Sequence, residues 1–480
     1  MSETRDELSD SPSPAPLRES SHRSTASGDI PDAHVTDAFN EDEPGLAWQA
    51  FMPASPVRRY ASGNGTPSLL ALTPTKNNTG TAPGSHGVFD VFVAFLKLGL
   101  TSFGGPVAHI GYFRREFVQR RRWLDDATFA DLVGLCQFLP GPASSQAGFS
   151  IGLLRAGWLG GIAAWCGFTL PSVFLLLAFA VLMPRLGGPI GDGVLHGLKL
   201  VAVAVVAQAV WEMARRLCPD TRRAAIALAA IVALAWMTTV FAQLVVIGLG
   251  AALGYGLLRP VGTAPAAASP SGPPFPVSRT AGVLALLVFC VLLAGLPIVA
   301  SLTGLRAVAI FDGFYRSGAL VFGGGHVVLP LLQEQTVTTG WVSAGDFLAG
   351  YGAAQAVPGP LFTFASFLGW MAGGPAHAGL GAALATVGIF LPGLLLVIAA
   401  LPHWQALRRR PATAAMLAGV NAAVVGILAS ALYSPVWTSA VHRPADFAVA
   451  AVAFVLLTRW QTPPLAVVAL CAIAGAAGLV

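Results

Sequence analysis

The chain has 480 residues, of which 55% are hydrophobic and 11% charged, and its mean hydropathy is +0.67. Soluble domains carry about 25% charged residues, so the composition excludes an ordinary soluble globular protein and calls for an all-α polytopic membrane protein. The net charge of +5 is unevenly spread: residues 1–86 hold 11 acids and 6 bases, net −5, and the rest holds 22 Lys+Arg (28 − 6) against 12 Asp+Glu (23 − 11), net +10. A basic membrane body suits an orientation signal and attraction of anions. No basic amphipathic surface with interleaved aromatics points to nucleic acid. The five cysteines are scattered without metal-ligand spacing, and no nucleophile–base arrangement or phosphate loop appears. Neither enzyme chemistry nor a metal or other cofactor is therefore expected.

In chain order, residues 1–86, rich in Ser, Pro, Asp, Glu and Thr, read as a disordered cytoplasmic tail. From Val88 the chain is apolar almost to Val480, in about 13 segments that mostly approach the ~20 residues a helical span needs. Residues 87–258 form a first unit and 306–480 a second. Between them, 259–305 holds a Pro/Ala/Ser linker, Thr263–Pro276, and a connecting transmembrane helix.

The two units are copies. The first reads Phe103-Gly104-Gly105-Pro106, then Trp123, Gln137 and Pro140-Gly141-Pro142; the second reads Phe322-Gly323-Gly324-Gly325, then Trp341, Gln355 and Pro358-Gly359-Pro360. Lys97 and Arg316 each stand six residues before the Phe, Gly167–Pro171 matches Gly388–Pro392, and Gly197-Leu198-Lys199 matches Gly419-Val420-Asn421. Landmarks in one order at offsets of 218 to 222 establish a duplication. Seven hydrophobic segments separate the starts of the copies, an odd number, so the repeats are expected to be inverted in the membrane. The loop after the first FGG carries Arg114, Arg115, Arg120, Arg121 and Arg122, whereas the equivalent loop 333–345 has no Lys or Arg. With every segment a full span, the five-Arg loop falls outside, against the positive-inside rule. Turning the FGG and PGP segments into re-entrant hairpins moves that loop inside and leaves every other loop in place. Four re-entrant hairpins and nine full spans are thus the preferred arrangement, with a plain 13-span chain as the alternative.

Gly and Pro break helices, and breaks within a bilayer are tolerated where the backbone lines a polar cavity or is buried in protein. Gly104, Gly105, Gly323, Gly324 and Gly325 leave main-chain N–H groups free, and helix N-termini that follow such breaks attract anions. Lys97 and Arg316, cations within apolar segments, are the charged candidates for an oxyanion site, although both are near enough to segment ends to snorkel. Gln137 and Gln355, three residues before each Pro-Gly-Pro, can donate to an oxyanion or bond a freed carbonyl. Ser144, Ser145, Gln146 and Thr363 follow the breaks, Asn421 is a weaker candidate, and His326 or His109 is a candidate proton-coupled group. Gly in membrane helices also serves close packing; recurrence of FGG with PGP favours a site.

At these motifs the sequence resembles the chromate ion transporter family in its long, two-domain form. The resembling residues are Lys97-Leu98-Gly99 with Ser102–Pro106, Gln137–Pro142, Phe322–His326 with Val328–Leu331, Gln355–Pro360 and Gly419–Gly426. The resemblance covers about residues 88–480 and excludes the tail. It implies a secondary transporter that exports chromate across the cytoplasmic (inner) membrane and confers chromate resistance, with sulfate as a competing analogue and the membrane potential or a proton gradient as energy source. A sulfate-type uptake porter or anion channel is the alternative. The substrate-binding set expected is Lys97, Phe103, Gly104, Gly105, Gln137, Pro140, Gly141, Pro142, Arg316, Phe322, Gly323, Gly324, Gly325, His326, Gln355, Pro358, Gly359, Pro360 and Asn421. The partners expected are the oxyanion and the lipid bilayer, and a homodimer is left open.

Overall fold

The computed structural model describes residues 85–237, 242–258, 276–404 and 411–480. Most of the tail, linker residues 263–275 and Arg408–Arg410 lie outside these residues. The described residues contain fifteen α-helices and no strand. Helix α1 (Ser85–Thr101) leads through the FGG break to α2 (Gly105–Phe113), which continues as a π-helical turn, Arg114–Arg120. Helix α3 (Asp126–Phe138) leads through PGP to α4 (Ala143–Leu182), which is interrupted at Ala156 and Gly157. Then come α5 (Gly188–Leu217), α6 (Thr221–Trp236), α7 (Ala242–Leu257) and the connecting α8 (Arg279–Thr303). The second repeat follows the same plan: α9 (Arg306–Ala319), α10 (Val328–Thr336), α11 (Ala344–Gln355), and α12 (Phe364–Ala400), interrupted at Gly374 and His377. It ends with α13 (Pro411–Ala431), α14 (Pro444–Thr458) and α15 (Pro464–Ala476).

Both FGG segments are hairpins, as side chains far apart in sequence show. Arg121 pairs with Asp90 at 2.8 Å, and Phe117 stacks on Phe95 at 4.7 Å, so the chain after the break returns to where α1 began. In the second repeat Ser317 Oγ donates to Leu331 O at 3.4 Å, and the Arg306 guanidinium lies 4.7 Å from the Trp341 ring. The PGP segments return too. Arg155, at the end of the first arm of α4, sits 5.4 Å from Trp123, just before α3, and Arg306 Nε donates to Ala372 O at 3.0 Å. Length agrees: the 13 residues of α3 reach ~20 Å, short of a ~30 Å hydrocarbon core.

The interruptions inside α4 and α12 are tight turns. A Cβ on Gly152 would meet Ala164 Cβ at 2.7 Å, and one on Gly373 would meet Ala378 Cα at 3.1 Å, so the chain doubles back with glycine faces in contact. Gly157 and Gly374 turn the chain at φ +65° and +67°, a region glycine enters without a Cβ penalty. The thirteen apolar segments therefore resolve into four hairpins and nine single helical stretches: arms 158–182 and 378–400, with α5, α6, α7, α8, α13, α14 and α15. Helices Ala143–Arg185, Gly188–Leu217, Arg279–Thr303, Leu361–His403 and Ala412–Trp437 are long and apolar enough to cross a bilayer; Ala242–Leu257, Pro444–Thr458 and Pro464–Ala476 are shorter apolar helices.

The repeats are inverted. Arm 378–400 starts beside the Arg306–Trp341 mouth of the second repeat's hairpins. It ends near Trp404, which packs on Phe138 at 5.8 Å and lies against Gly134, while Gly393 meets Gly141. From Gly393 at the tip to Trp404 beside Gly134, the arm thus passes the junction and continues back along the tip half of α3 toward the first repeat's mouth, so the two sets of hairpins open on opposite faces. The repeats also interlock: α5 packs on α14 and α15, and α13 packs on α6 and α7. Gly193 and Gly197 seat against Gly475 and Cys471, and Gly419 seats against Gly250 and Gly254, letting the backbones touch.

Candidate functional site

The four hairpin tips meet, and they do so reciprocally. Gly141 N–H, in the first PGP, donates to Val321 O beside the second FGG at 2.8 Å; Gly359 N–H, in the second PGP, donates to Ser102 O beside the first FGG at 2.8 Å. Gly141 corresponds to Gly359 (offset 218) and Ser102 to Val321 (offset 219), so one hydrogen bond is made twice by pseudo-symmetry. On the pseudo-axis Pro106 touches Gly325, its own repeat equivalent, with a Cβ on Gly325 only 3.3 Å from Pro106 Cγ.

Next comes the accounting of freed backbone groups, since a group left unpaired away from water is costly. Three carbonyls at the PGP tips find side-chain donors inside the protein. Gln146 Nε2 donates to both Pro140 O and Gly393 O at 2.9 Å, Ser172 Oγ donates to Pro358 O, and Thr363 Oγ1 donates to Pro360 O at 2.7 Å. The FGG donors are left over. The main-chain N–H groups of Phe103, Gly104, Phe322, Gly323 and Gly324 find no acceptor among the described residues. Gly104 and Gly323 are repeat equivalents with φ +98° and +81°, and both are exposed. Helices or 3₁₀ turns begin at Gly105, Ala143, Gly325 and Leu361, so four N-termini point their partial positive charge at the junction. The segments 99–110, 136–150, 317–330 and 354–370 contain no Asp or Glu. Unpaired N–H groups, converging helix N-termini and the absence of acids in these segments are the features with which a backbone can receive an anion.

The side chains are arranged unevenly. Asn421 Oδ1 lies 3.5 Å from a Cβ on Gly323 and has no hydrogen-bond partner. His326 Nδ1 and the buried Tyr351 hydroxyl are 2.7 Å apart, and the side chain of Gln355, one turn beyond Tyr351, lies by that hydroxyl without its Nε2 reaching hydrogen-bond geometry. Gln137 is exposed and Phe103 and Phe322 are half-buried, while Pro142 caps the start of α4. Arg316 is held by Asp312 at 2.6 Å, with Arg316 Nε and Asp312 Oδ1 left unpartnered. Lys97 has Val93 where Arg316 has Asp312 (offset 219), and it is exposed on the face of α1 that carries Phe89, Val93 and Leu100. The expected pair of cations is therefore not presented symmetrically: one is tied to an acid and the other faces outward.

Sequence reading quoted Ser102 within its motif but left it out of the site, along with Val321, Ser172, Gly393 and Tyr351. The first two directly precede each FGG, and Ser172 and Gly393 directly follow the matched Pro171 and Pro392, so motif adjacency was the available signal. Tyr351 had none. At the cytoplasm-expected mouth, the Arg loop is a pinned cluster. Glu116 accepts from Arg120 and Arg121, and Arg121 and Arg155 cover the Trp123 ring. Burial pushes the Glu116 carboxyl up, but the hydrogen bonds and charges of Arg121 and Arg120 outweigh it and hold it below the ordinary carboxylate value.

Comparison with known proteins gives this junction a family. A chromate transporter family model matches residues 89–255 and 308–476. A chromate transport protein of Pseudomonas aeruginosa is 30% identical over 420 residues, 84% of this chain and 95% of that protein. A probable chromate transport protein of Synechococcus elongatus is 27% identical over 395 residues (79% and 93%), and a chromate transport protein of Cupriavidus metallidurans is 25% identical over 402 (82% and 94%). No solved structure matches. With both repeats matched and the relatives covered almost end to end, the chain, a multi-pass helical membrane protein, belongs to the chromate transporter family.

Proposed function

We propose that the chain is a secondary transporter that exports chromate across the cytoplasmic membrane and so confers chromate resistance. The observation that carries this reading is the reciprocal meeting of four hairpin tips from opposite faces, with free main-chain N–H donors at Gly104 and Gly323 and no acid in the tip segments. The dianion is held by those N–H groups, with Gln355 and Asn421 as side-chain partners and Arg316 as the flanking cation. Sulfate-like dianions fit the same donors and compete. The PGP residues Pro140, Gly141, Pro142, Pro358, Gly359 and Pro360 shape the site by clasping the opposite FGG tip. Alternating access comes from parting one clasp while the other holds, with the hairpins of each repeat opening to their own face. An inside-negative potential favours dianion efflux by roughly 2.3 kcal/mol per charge per 100 mV.

Chromate flux in proteoliposomes, under imposed voltage and pH gradients, tests this. Outward-directed, voltage-dependent chromate movement that sulfate inhibits is the expected result. Flux that only fills vesicles toward a positive interior, without counterflow, favours an anion channel; no chromate flux in either direction removes the reading.

A further inference from the structure

The two clasps differ in the group that stands behind the FGG tip. Behind the first FGG tip, His109 on α2 is completely buried, its ring edge-on to Phe168 at 5.2 Å, and neither ring nitrogen has a hydrogen-bond partner. The ring lies against the main chain of Ser102, without reaching it in hydrogen-bond geometry, and the buried Ser102 hydroxyl is unpartnered too. The position equivalent to His109 in the second repeat is Val328 (offset 219), so the Gly141–Val321 clasp has no such neighbour. His326, the other histidine near a tip, is already committed to Tyr351.

We propose that His109 is a proton-binding site whose occupancy releases the Ser102–Gly359 clasp. Its use for coupling rests on the transport reading; its chemistry does not. A neutral imidazole has one donor and one acceptor, and an imidazolium has two donors and no acceptor. The Ser102 N–H is already given to Leu98 O, so the acceptors Ser102 offers are its hydroxyl and its carbonyl, the oxygen that receives Gly359 N–H. In the clasped state the ring does not reach that carbonyl properly. A protonated ring, which cannot stay buried without acceptors, gains them by drawing the tip toward itself and away from Gly359. Among the described side chains, the titratable groups on the surrounding elements are Asp90 and Lys97 on α1, Tyr112 on α2, Arg114, Arg115, Glu116 and Arg120 on the turn that follows with Arg121 just after it, and Arg155 and Cys166 on α4. Neither ring nitrogen is in hydrogen-bond or ion-pair contact with any of them. Asp90, Glu116, Arg114 and Arg120 are engaged in ion pairs at the hairpin mouth. The proton therefore has no nearby carboxylate to hold it, and its release as the clasp re-forms is built in.

Hydrogen–deuterium exchange of the full chain in nanodiscs, corrected for intrinsic rates, reads the clasp directly. Acidification should lower protection of the segment holding Gly359 by about three- to tenfold, the factor for one hydrogen bond of ordinary net strength, and leave the Gly141 segment unchanged. His109→Gln, with His109→Asn as a second neutral replacement, should abolish the difference while keeping Gly141 protected, and His326→Gln should preserve it. An equal response at both tips, or a retained response in both His109 variants, overturns the proposal. Chromate flux in proteoliposomes is measured in parallel. Flux without an acid response at Gly359 leaves the transport reading standing and removes this one; an acid response without flux does the reverse.

Discussion

Gly359→Ala tests the clasp most directly. The residue sits at φ +99°, where an added Cβ runs into the Ser172 hydroxyl and comes within 3.3 Å of Phe168 O. Holding an alanine in a left-handed conformation costs roughly 1–2 kcal/mol. Displacing Ser172 Oγ breaks its hydrogen bond to Pro358 O, which adds about 1 kcal/mol. The expected loss is therefore about 2–3 kcal/mol, read as a lower temperature at which detergent-solubilised protein stops being monodisperse. Ser172→Ala alone costs about 1 kcal/mol for the orphaned Pro358 carbonyl. The double variant has no hydroxyl to clash with, so its cost should match Gly359→Ala alone instead of the sum, a coupling of about 1 kcal/mol. Additive losses would show that the alanine does not meet Ser172, and a Gly359→Ala protein as stable and as active in chromate flux as its parent would refute the tip geometry.

Other outcomes follow from the same contacts. Arg316→Ala strands the buried Asp312 carboxylate and should cost on the order of 3 kcal/mol of stability; Asp312→Asn with Arg316→Gln should restore folded yield, and if chromate flux returns with it, Arg316 is structural and not a substrate cation. Gly419→Leu drives a side chain into Gly250 and Gly254 and should abolish monodisperse protein in size-exclusion chromatography, whereas Gly256→Ala, with open space around it, should be silent. Glu116 has a depressed folded pKa, so the stability it contributes is present above its unfolded value and is lost as pH falls through the folded value. Thermal melts against pH should therefore show an acid limb that Glu116→Gln removes; an unchanged limb assigns the acid sensitivity to other carboxylates.

Much of this architecture was legible in the chain. Apolar runs with mid-segment Gly and Pro announced broken membrane helices, because a bilayer leaves few ways to satisfy a backbone. The Trp-to-PGP spacing, kept in both copies, announced the duplication. The count of segments and the five-Arg loop carried inversion and the hairpins, since parity and the cost of moving Arg across a membrane are properties of order and composition. The cations were less legible. Lys97 and Arg316 occupy the same repeat position, yet Asp312 stands four residues before one and Val93 before the other, and only packing shows which is tied and which faces outward.

What the sequence by itself determined is the class, the repeat, its inverted sense and the places where helices break, all local or countable properties. The tertiary structure alone decided which break meets which. That FGG of one repeat is clasped by PGP of the other follows from hydrogen bonds between residues more than 150 positions apart, and no local propensity encodes such a pairing. It also decided which freed backbone groups are spent and which remain. The Pro140, Pro358 and Pro360 carbonyls are taken by Gln146, Ser172 and Thr363, while the N–H groups of Gly104 and Gly323 have no acceptor among the described residues, a division set by which side chains the packing brings to each tip.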